Sequence, residues 1–221
     1  MLALLYDIHG NLPALEAVLG DADDADEFLL GGDYATAGAW PRETVERLRE
    51  LTGATWIRGN ADRWLVERHD APAAMDEIAA RTAELLGGEL AAELAELPEL
   101  AERGDTLFCH ASPRSDMQSF GAEPGPLDTE LLDGVTARRV VFGHTHVQFK
   151  REGSGGTELL NPGSVGMPWD GDHRAAYAVI DGDQVKCRRV EYDWEASVAA
   201  VRDRVGELPA RRIELARFDV G

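Results

Sequence analysis

The sequence predicts an α/β fold with a largely parallel sheet in its first part and a second, mostly antiparallel sheet beyond residue 139. Three observations carry this expectation. Five short apolar runs each stop at a small polar signature, as buried strands do. The first three runs alternate with amphipathic helical stretches, the order that builds a parallel sheet covered by helices. From Val140 onward, strand-like segments follow one another with no helix between them.

The chain opens on Leu2–Tyr6, which ends at Asp7-Ile8-His9. Asn11 is suited to cap a helix carrying Leu12, Leu15, Val18 and Leu19 on one face, with Gly20 as its stop. The acidic stretch Asp21–Glu27 reads as a solvated loop. Phe28-Leu29-Leu30 then runs to Gly31-Gly32-Asp33. Pro41 opens a second helix with Val45, Leu48 and Leu51 towards the sheet, and Trp56-Ile57-Arg58 leads to Gly59-Asn60.

Residues 62–98 are rich in Ala, Glu and Leu, broken by Gly87-Gly88 and stopped by Pro98. They predict a small, cap-like helical insertion beside the active face, with Met75 and Ile78 as core, inside one domain spanning 1–221. Thr106–Cys109 leads to His110, and the proline-bearing loop 111–127 is placed to shape a pocket. Strands are expected at 139–143, 147–152, 157–161, 175–181 and 185–192, followed by a helix over Trp194–Val205 and a short tail.

Composition narrows the functions available. The 221 residues hold 41 Asp and Glu against 22 Lys and Arg, a net charge of −19. Such a surface repels polyanions and argues against a DNA nuclease or a general nucleic-acid binder. No apolar run is long enough to span a bilayer and no positively charged leader precedes the first strand, so the expectation is a cytoplasmic protein. Two cysteines, Cys109 and Cys187, are too few for a disulfide scaffold, and Cys109 reads as a small buried hydrophobe.

The polar signatures are rich in metal-binding groups. Side chains at i and i+2 of an extended segment share a face, so Asp7 with His9, and His144 with His146, are placed to reach one ion together. Gly31, Gly32, Gly59 and Gly143 let the backbone turn sharply beside it. In open α/β sheets such a site lies beyond the carboxyl ends of the strands.

Asp7-Ile-His9, Gly32-Asp33, Gly59-Asn60, His110 and Gly143-His144-Thr-His146, in this order, resemble the motifs of the calcineurin-like metallophosphoesterase superfamily. Asp7-Ile-His-Gly-Asn11, Asn161-Pro-Gly-Ser-Val-Gly166 and Leu208-Pro209 look like its small bacterial and archaeal phosphodiesterase branch. The resemblance implies a four-layer αββα sandwich of two mixed sheets. It also implies two divalent ions, with Mn²⁺ first and Fe, Ni²⁺, Zn²⁺, Co²⁺ or Mg²⁺ as alternatives. Carried over, one ion takes Asp7, His9, Asp33 and His146, and the other Asp33, Asn60, His110 and His144, with Asp33 shared. A water or hydroxide between the ions would then attack a small phosphoester or nucleotide-like substrate in line.

The chain departs from the pattern after Asn60. Many phosphomonoesterases of the superfamily carry a His there that assists the leaving group, whereas this chain reads Asn60-Ala61-Asp62. Ala61 cannot donate a proton. Asp62 either hydrogen-bonds the site or caps the next helix. Of the two remaining histidines, His69 reads as surface, and His173 is the substitute acid the sequence offers. Arg114, Arg174 and the turn at Asn161 are candidate phosphate binders, with surface ion pairs and a plain turn as the alternatives. The expected activity is phosphodiester hydrolysis; the alternatives are a protein or nucleotide phosphomonoesterase and a non-catalytic scaffold.

Overall fold

The computed structural model describes residues 1–218. Its strands are β1 (Leu2–Leu5), β2 (Glu27–Leu30), β3 (Thr55–Trp56), β4 (Leu100–Arg103), β5 (Thr106–Cys109), β6 (Arg139–Val141), β7 (Phe149–Glu152), β8 (Glu158–Asn161), β9 (Ala175–Asp181) and β10 (Gln184–Val190). They form two five-stranded sheets, in the orders β10-β9-β1-β2-β3 and β4-β5-β6-β8-β7. Both are mixed. In the first, β1, β2 and β3 are parallel, with β9 and β10 antiparallel; in the second, β5, β6 and β8 are parallel, with β4 and β7 antiparallel at the edges.

The alternation of side chains along β1 organises the layers. Leu2, Leu4 and Tyr6 point into an inter-sheet core with Leu29, Phe108, Val141, Leu160 and Ala178. Ala3 and Leu5 point the other way. They meet Leu15 and Val18 of α1 (Leu12–Asp21) and Val45 and Leu48 of α2 (Pro41–Arg49). Asn11 caps α1, its Oδ1 accepting from Ala14 N at 3.4 Å, and α1 runs one residue past Gly20. The outer face of the second sheet carries Leu107, Cys109, Val140 and Phe142 under Phe120, Leu131 and Leu132. That outer layer is thin, consisting of the 111–127 loop and the short α6 (Asp128–Leu131).

Residues 60–95 form α3 (Asn60–Arg63), α4 (Ala73–Leu86) and α5 (Gly88–Ala95). The chain ends on α7 (Trp194–Arg204), packed against α8 (Glu207–Leu215). No helix among the described residues is long and apolar enough to cross a membrane.

Three expectations change. The second sheet is not mostly antiparallel, because β9 and β10 leave it and complete the first. The run Ala175–Val179 is buried on both faces, with Ala178 between the sheets and Tyr177 and Val179 on the helix side. A strand with two apolar faces needs a central place, and the open edge of β1 provides it. The edge strand β4, largely exposed, lacks the apolar alternation that would reveal it. The expected tail is the helix α8, whose Ala210 and Ile213 are buried. Pro209 sits in its first turn, where a missing N–H breaks no helical bond.

Candidate functional site

The carboxyl ends of β1, β2, β3, β5 and β6 lie at one end of the sandwich, and the loops that leave them converge. The convergence does not come from extended strands. Asp7, His9, Asp33, His144 and His146 lie past the strand ends with φ of 53°, 48°, 58°, 64° and 55°. Left-handed backbone at non-glycine residues costs on the order of 1–3 kcal/mol each and persists only where neighbours over-determine it.

Those neighbours are specific. The first two loops are laced by Asp7 N→Gly32 O at 3.1 Å, His9 N→Asp33 O at 2.8 Å and Gly10 N→Tyr34 O at 2.8 Å. Asp62 fills both roles the sequence left open. Its carboxylate accepts from Asp33 N (2.7 Å), Tyr34 N (3.1 Å) and, at the start of α3, Gly59 N (2.9 Å). Asn161 is buried and braces the third loop, its Nδ2 donating to Gly143 O and Thr145 Oγ1, both at 2.9 Å. Ser164 Oγ donates to Asp7 O at 2.6 Å.

Seven side chains meet in the middle. Asp7 Oδ1 lies 3.4 Å from His146 Nε2, and His146 Nε2 lies 3.1 Å from His9 Nε2. Asp33 Oδ2 stands between this group and the next, 3.7 Å from His9 Nε2 and 3.5 Å from His110 Nε2. Asn60 Oδ1 is 3.0 Å from His110 Nε2 and 2.9 Å from His144 Nδ1. Asp33 Oδ1 accepts from Ala61 N at 2.8 Å, and Asp7 Oδ2 from His144 N at 2.9 Å.

Backbone carbonyls set the imidazoles. His9 Nδ1 is 2.8 Å from Thr36 O, His110 Nδ1 2.8 Å from Gly31 O, and His146 Nδ1 2.6 Å from Met167 O. Each Nδ1–H donates outward, which leaves Nε2 facing the centre as metal ligation requires. Trp169 stacks on His146 with ring centroids 3.6 Å apart. The carbonyls of Gly31, Thr36 and Met167 carry no side-chain signature, so the sequence did not reveal them. Trp169 offered only an aromatic residue in a loop after the Asn161–Gly166 turn.

The arrangement fits cations. Asp7 Oδ1 is buried without a hydrogen-bond partner, a costly state for a carboxylate oxygen unless an ion satisfies it. Donor spacings near 3 Å are what two ligands need when each stands about 2.0–2.1 Å from one ion. Turned the other way, the Asn60 amide would donate to His110 and His144. With oxygen inward, it offers the lone pair that a ligand needs.

The charges agree with this. Burial alone would raise Asp33, but His110 beside it holds its carboxyl well below the usual range. Burial likewise opposes the ionisation of Asp7, and His146 reverses that. Burial lowers His144 to about 4 and, with His146, also lowers His9, so both imidazoles are neutral at pH 7. His110 is the exception: burial pulls it down, but Asp33 and Asp7 outweigh burial and push it up to about 10. It must lose a proton to accept an ion. Loading at pH 8 is therefore expected to release about one proton per chain, and affinity should rise about tenfold per pH unit between about pH 8 and pH 10. At pH 8, Asp62, pushed up to about 7 by burial and Asp33, is mostly ionised and contributes little. Calorimetric titration in buffers of different ionisation heat reads the release, and a value of zero would mean that His110 is neutral before loading.

The remaining candidates stand elsewhere. Arg114 is on the surface, donating to Asp133 O at 2.7 Å and Asp133 Oδ2 at 2.8 Å. Arg174 is held by Asp172, with Nη2 donating to Oδ2 at 2.7 Å. His173 Nε2 lies 2.9 Å from Glu214 O, and its ring stacks on Trp194. None of these three lines the cavity over the centre, whose volume is about 500 Å³. Met75 and Ile78 pack against a core cluster and line that cavity as well. Cys109 is fully buried, and burial pushes its thiol up.

The model of the calcineurin-like phosphoesterase superfamily domain matches residues 1–184. An uncharacterized protein of Methanocaldococcus jannaschii is 30% identical over 243 aligned residues, covering 98% of each chain. A metallophosphoesterase from Sphaerobacter thermophilus is 29% identical and superposes with a TM-score of 0.85, over 97% of this chain and 99% of its own. A hypothetical protein from Pyrococcus horikoshii OT3, 20% identical, shares the fold with a TM-score of 0.82 over 98% of each chain.

Proposed function

The chain belongs to the calcineurin-like phosphoesterase superfamily, and on that premise we propose that it is a two-metal phosphodiesterase acting on small phosphoesters. Asp7, His9, Asp33 and His146 would hold one ion, and Asp33, Asn60, His110 and His144 the other, with Mn²⁺ the first expectation. The observation that carries this reading is the clustering of Asp7, His9 and His146 and of Asp7, Asp33 and His110, with Asn60 and His144 beside His110 and the Asp7 Oδ1 oxygen unpartnered. When bound, two such ions supply Lewis-acid polarisation of a phosphoryl group and a water of lowered pKa.

The chain's own residues do the rest. Carbonyl-locked imidazoles and the Ala61 N–H on Asp33 keep the donors in place, so little reorganisation is left for the moment of reaction. Apolar side chains, Trp64 and Ile78 among them, line the space above the centre and lower its polarity. Ala61 lines the cavity with a methyl group at the position that the resemblance fills with His in many phosphomonoesterases of the superfamily, and His173 is engaged with Glu214. The leaving oxygen therefore departs without a positioned acid. General-acid help is worth about 10²–10⁴-fold, and its absence matters least for leaving groups already stable as anions.

With Mn²⁺-reconstituted protein, rates across substituted aryl diesters are expected to fall steeply as leaving-group pKa rises. Ala61→His is expected to flatten that slope and improve monoester turnover. A wild-type slope near zero, with chemistry rate-limiting, would assign the leaving group to another acid. Protein shown to hold two ions yet hydrolysing no phosphoester would overturn the reading in favour of a scaffold.

A further inference from the structure

The cavity continues beyond the ligands into walls that hydrolysis itself does not require. His9, Asp33, Asn60, His144 and His146 lie at its base. Above them stand Trp64, Met75, Ile78, Trp169, Leu208 and Pro209. Three of the chain's four methionines line it, Met117 and Met167 being the other two. Leu208 and Pro209 come from α8, outside the segment matched by the family model, and Met75 and Ile78 from α4. Two helices distant in sequence thus close one apolar chamber over a polar floor.

A chamber of about 500 Å³ has the size of a small-molecule site. Its walls are mostly apolar, and burying sugar hydroxyls unpaired against them is costly. They can hold an aryl or alkyl group, and methionine adapts to its shape. Arg212, also on the lining, holds its guanidinium over the Trp169 and Phe218 rings at 5.6 and 4.6 Å. The net charge of −19 disfavours polyanions at long range.

Resting on the phosphoesterase reading, we propose that the substrate is a phosphoester bearing one bulky apolar substituent. The α4–α8 walls select that substituent, and nucleotides and sugar phosphates are poor ligands.

The test uses Mn²⁺-loaded protein and n-alkylphosphonates from methyl to hexyl, with binding read by tryptophan fluorescence, since Trp64 and Trp169 are in the walls. Kd is expected to fall about fourfold per methylene, and AMP is expected to bind no better than methylphosphonate. Met75→Gln and Leu208→Gln, both at half-buried positions, are expected to flatten the chain-length response. Metal content and circular dichroism check that each variant is folded. In parallel, kcat/KM for n-alkyl 4-nitrophenyl phosphates should rise with chain length. Hydrolysis with a flat response to chain length in both series, or AMP matching hexylphosphonate, overturns this inference and leaves the phosphoesterase reading standing. A steep binding response without hydrolysis does the reverse: the chamber stands and the phosphoesterase reading falls.

Discussion

Asp33→Asn is expected to deplete metal from both halves of the centre at once and to lower phosphoester turnover by more than about 100-fold. Asp33 Oδ2 lies between His9 Nε2 at 3.7 Å and His110 Nε2 at 3.5 Å, so one carboxylate serves both groups of donors. Loss of an outer-shell partner already costs about 10–100-fold in affinity or activity, and removing the shared charge should exceed that. The fold should survive. In the metal-free protein Asp33 opposes the ionisation of Asp62, so a neutral amide relieves a repulsion, while the backbone bonds from Asp33 N and to Asp33 O remain available. Elemental analysis with circular dichroism separates the two effects. His9→Ala, by contrast, should weaken mainly the ion proposed to lie with Asp7 and His146. Full occupancy of both sites in Asp33→Asn would count against a shared carboxylate.

Gly59→Ala is expected to have a comparable effect with no change of charge. Gly59 has φ −95° and ψ 174°, which alanine adopts without strain. The difficulty is space, since a Cβ there would stand 2.1 Å from Asp33 Oδ1 and 2.7 Å from Asp33 N. One of the two loops must move, and the shared carboxylate moves with it. Metal content and turnover should fall together by at least about tenfold, because displacement of a ligand by a fraction of an ångström is enough. Gly20→Ala is the contrast. It lies in α1 with nothing within 4 Å of the added methyl, so it should stabilise the fold by about 0.5–1 kcal/mol and leave metal content unchanged. Equal metal loss in both variants would mean that the Gly59 effect is not local.

Legibility differed between elements for physical reasons. The helices α1 and α2 carried a capping Asn11 or an opening Pro41 and an apolar stripe, and each formed where these signals lie. The assignment of β9 to the first sheet was not legible, since which edge a strand joins depends on what lies across both of its faces. The helix α8 was expected only as a short tail, although Ala210 and Ile213 are helically spaced and Pro209 lies within the first turn, where its missing N–H breaks no helical bond. Arg114, Arg174 and His173 offered suitable chemistry, but Asp133, Asp172 and Glu214 engage them away from the cavity.

By itself, the sequence determined the mixed α/β class, the ordered series of polar signatures behind apolar runs, and the family those signatures resemble. These are local properties: a buried strand needs its apolar run, and a ligand must follow it within a few residues. Tertiary structure alone decided how the signatures meet. Spacing at i and i+2 suggested that Asp7 and His9 share the face of a strand, but both lie past its end in left-handed backbone. They converge because Gly32, Asp33 and Tyr34 from a different loop hold them there. The apolar chamber has the same origin. Met75 and Leu208 are 133 positions apart in the chain, and only the packing of α4 and α8 over the same strand ends makes them walls of one cavity.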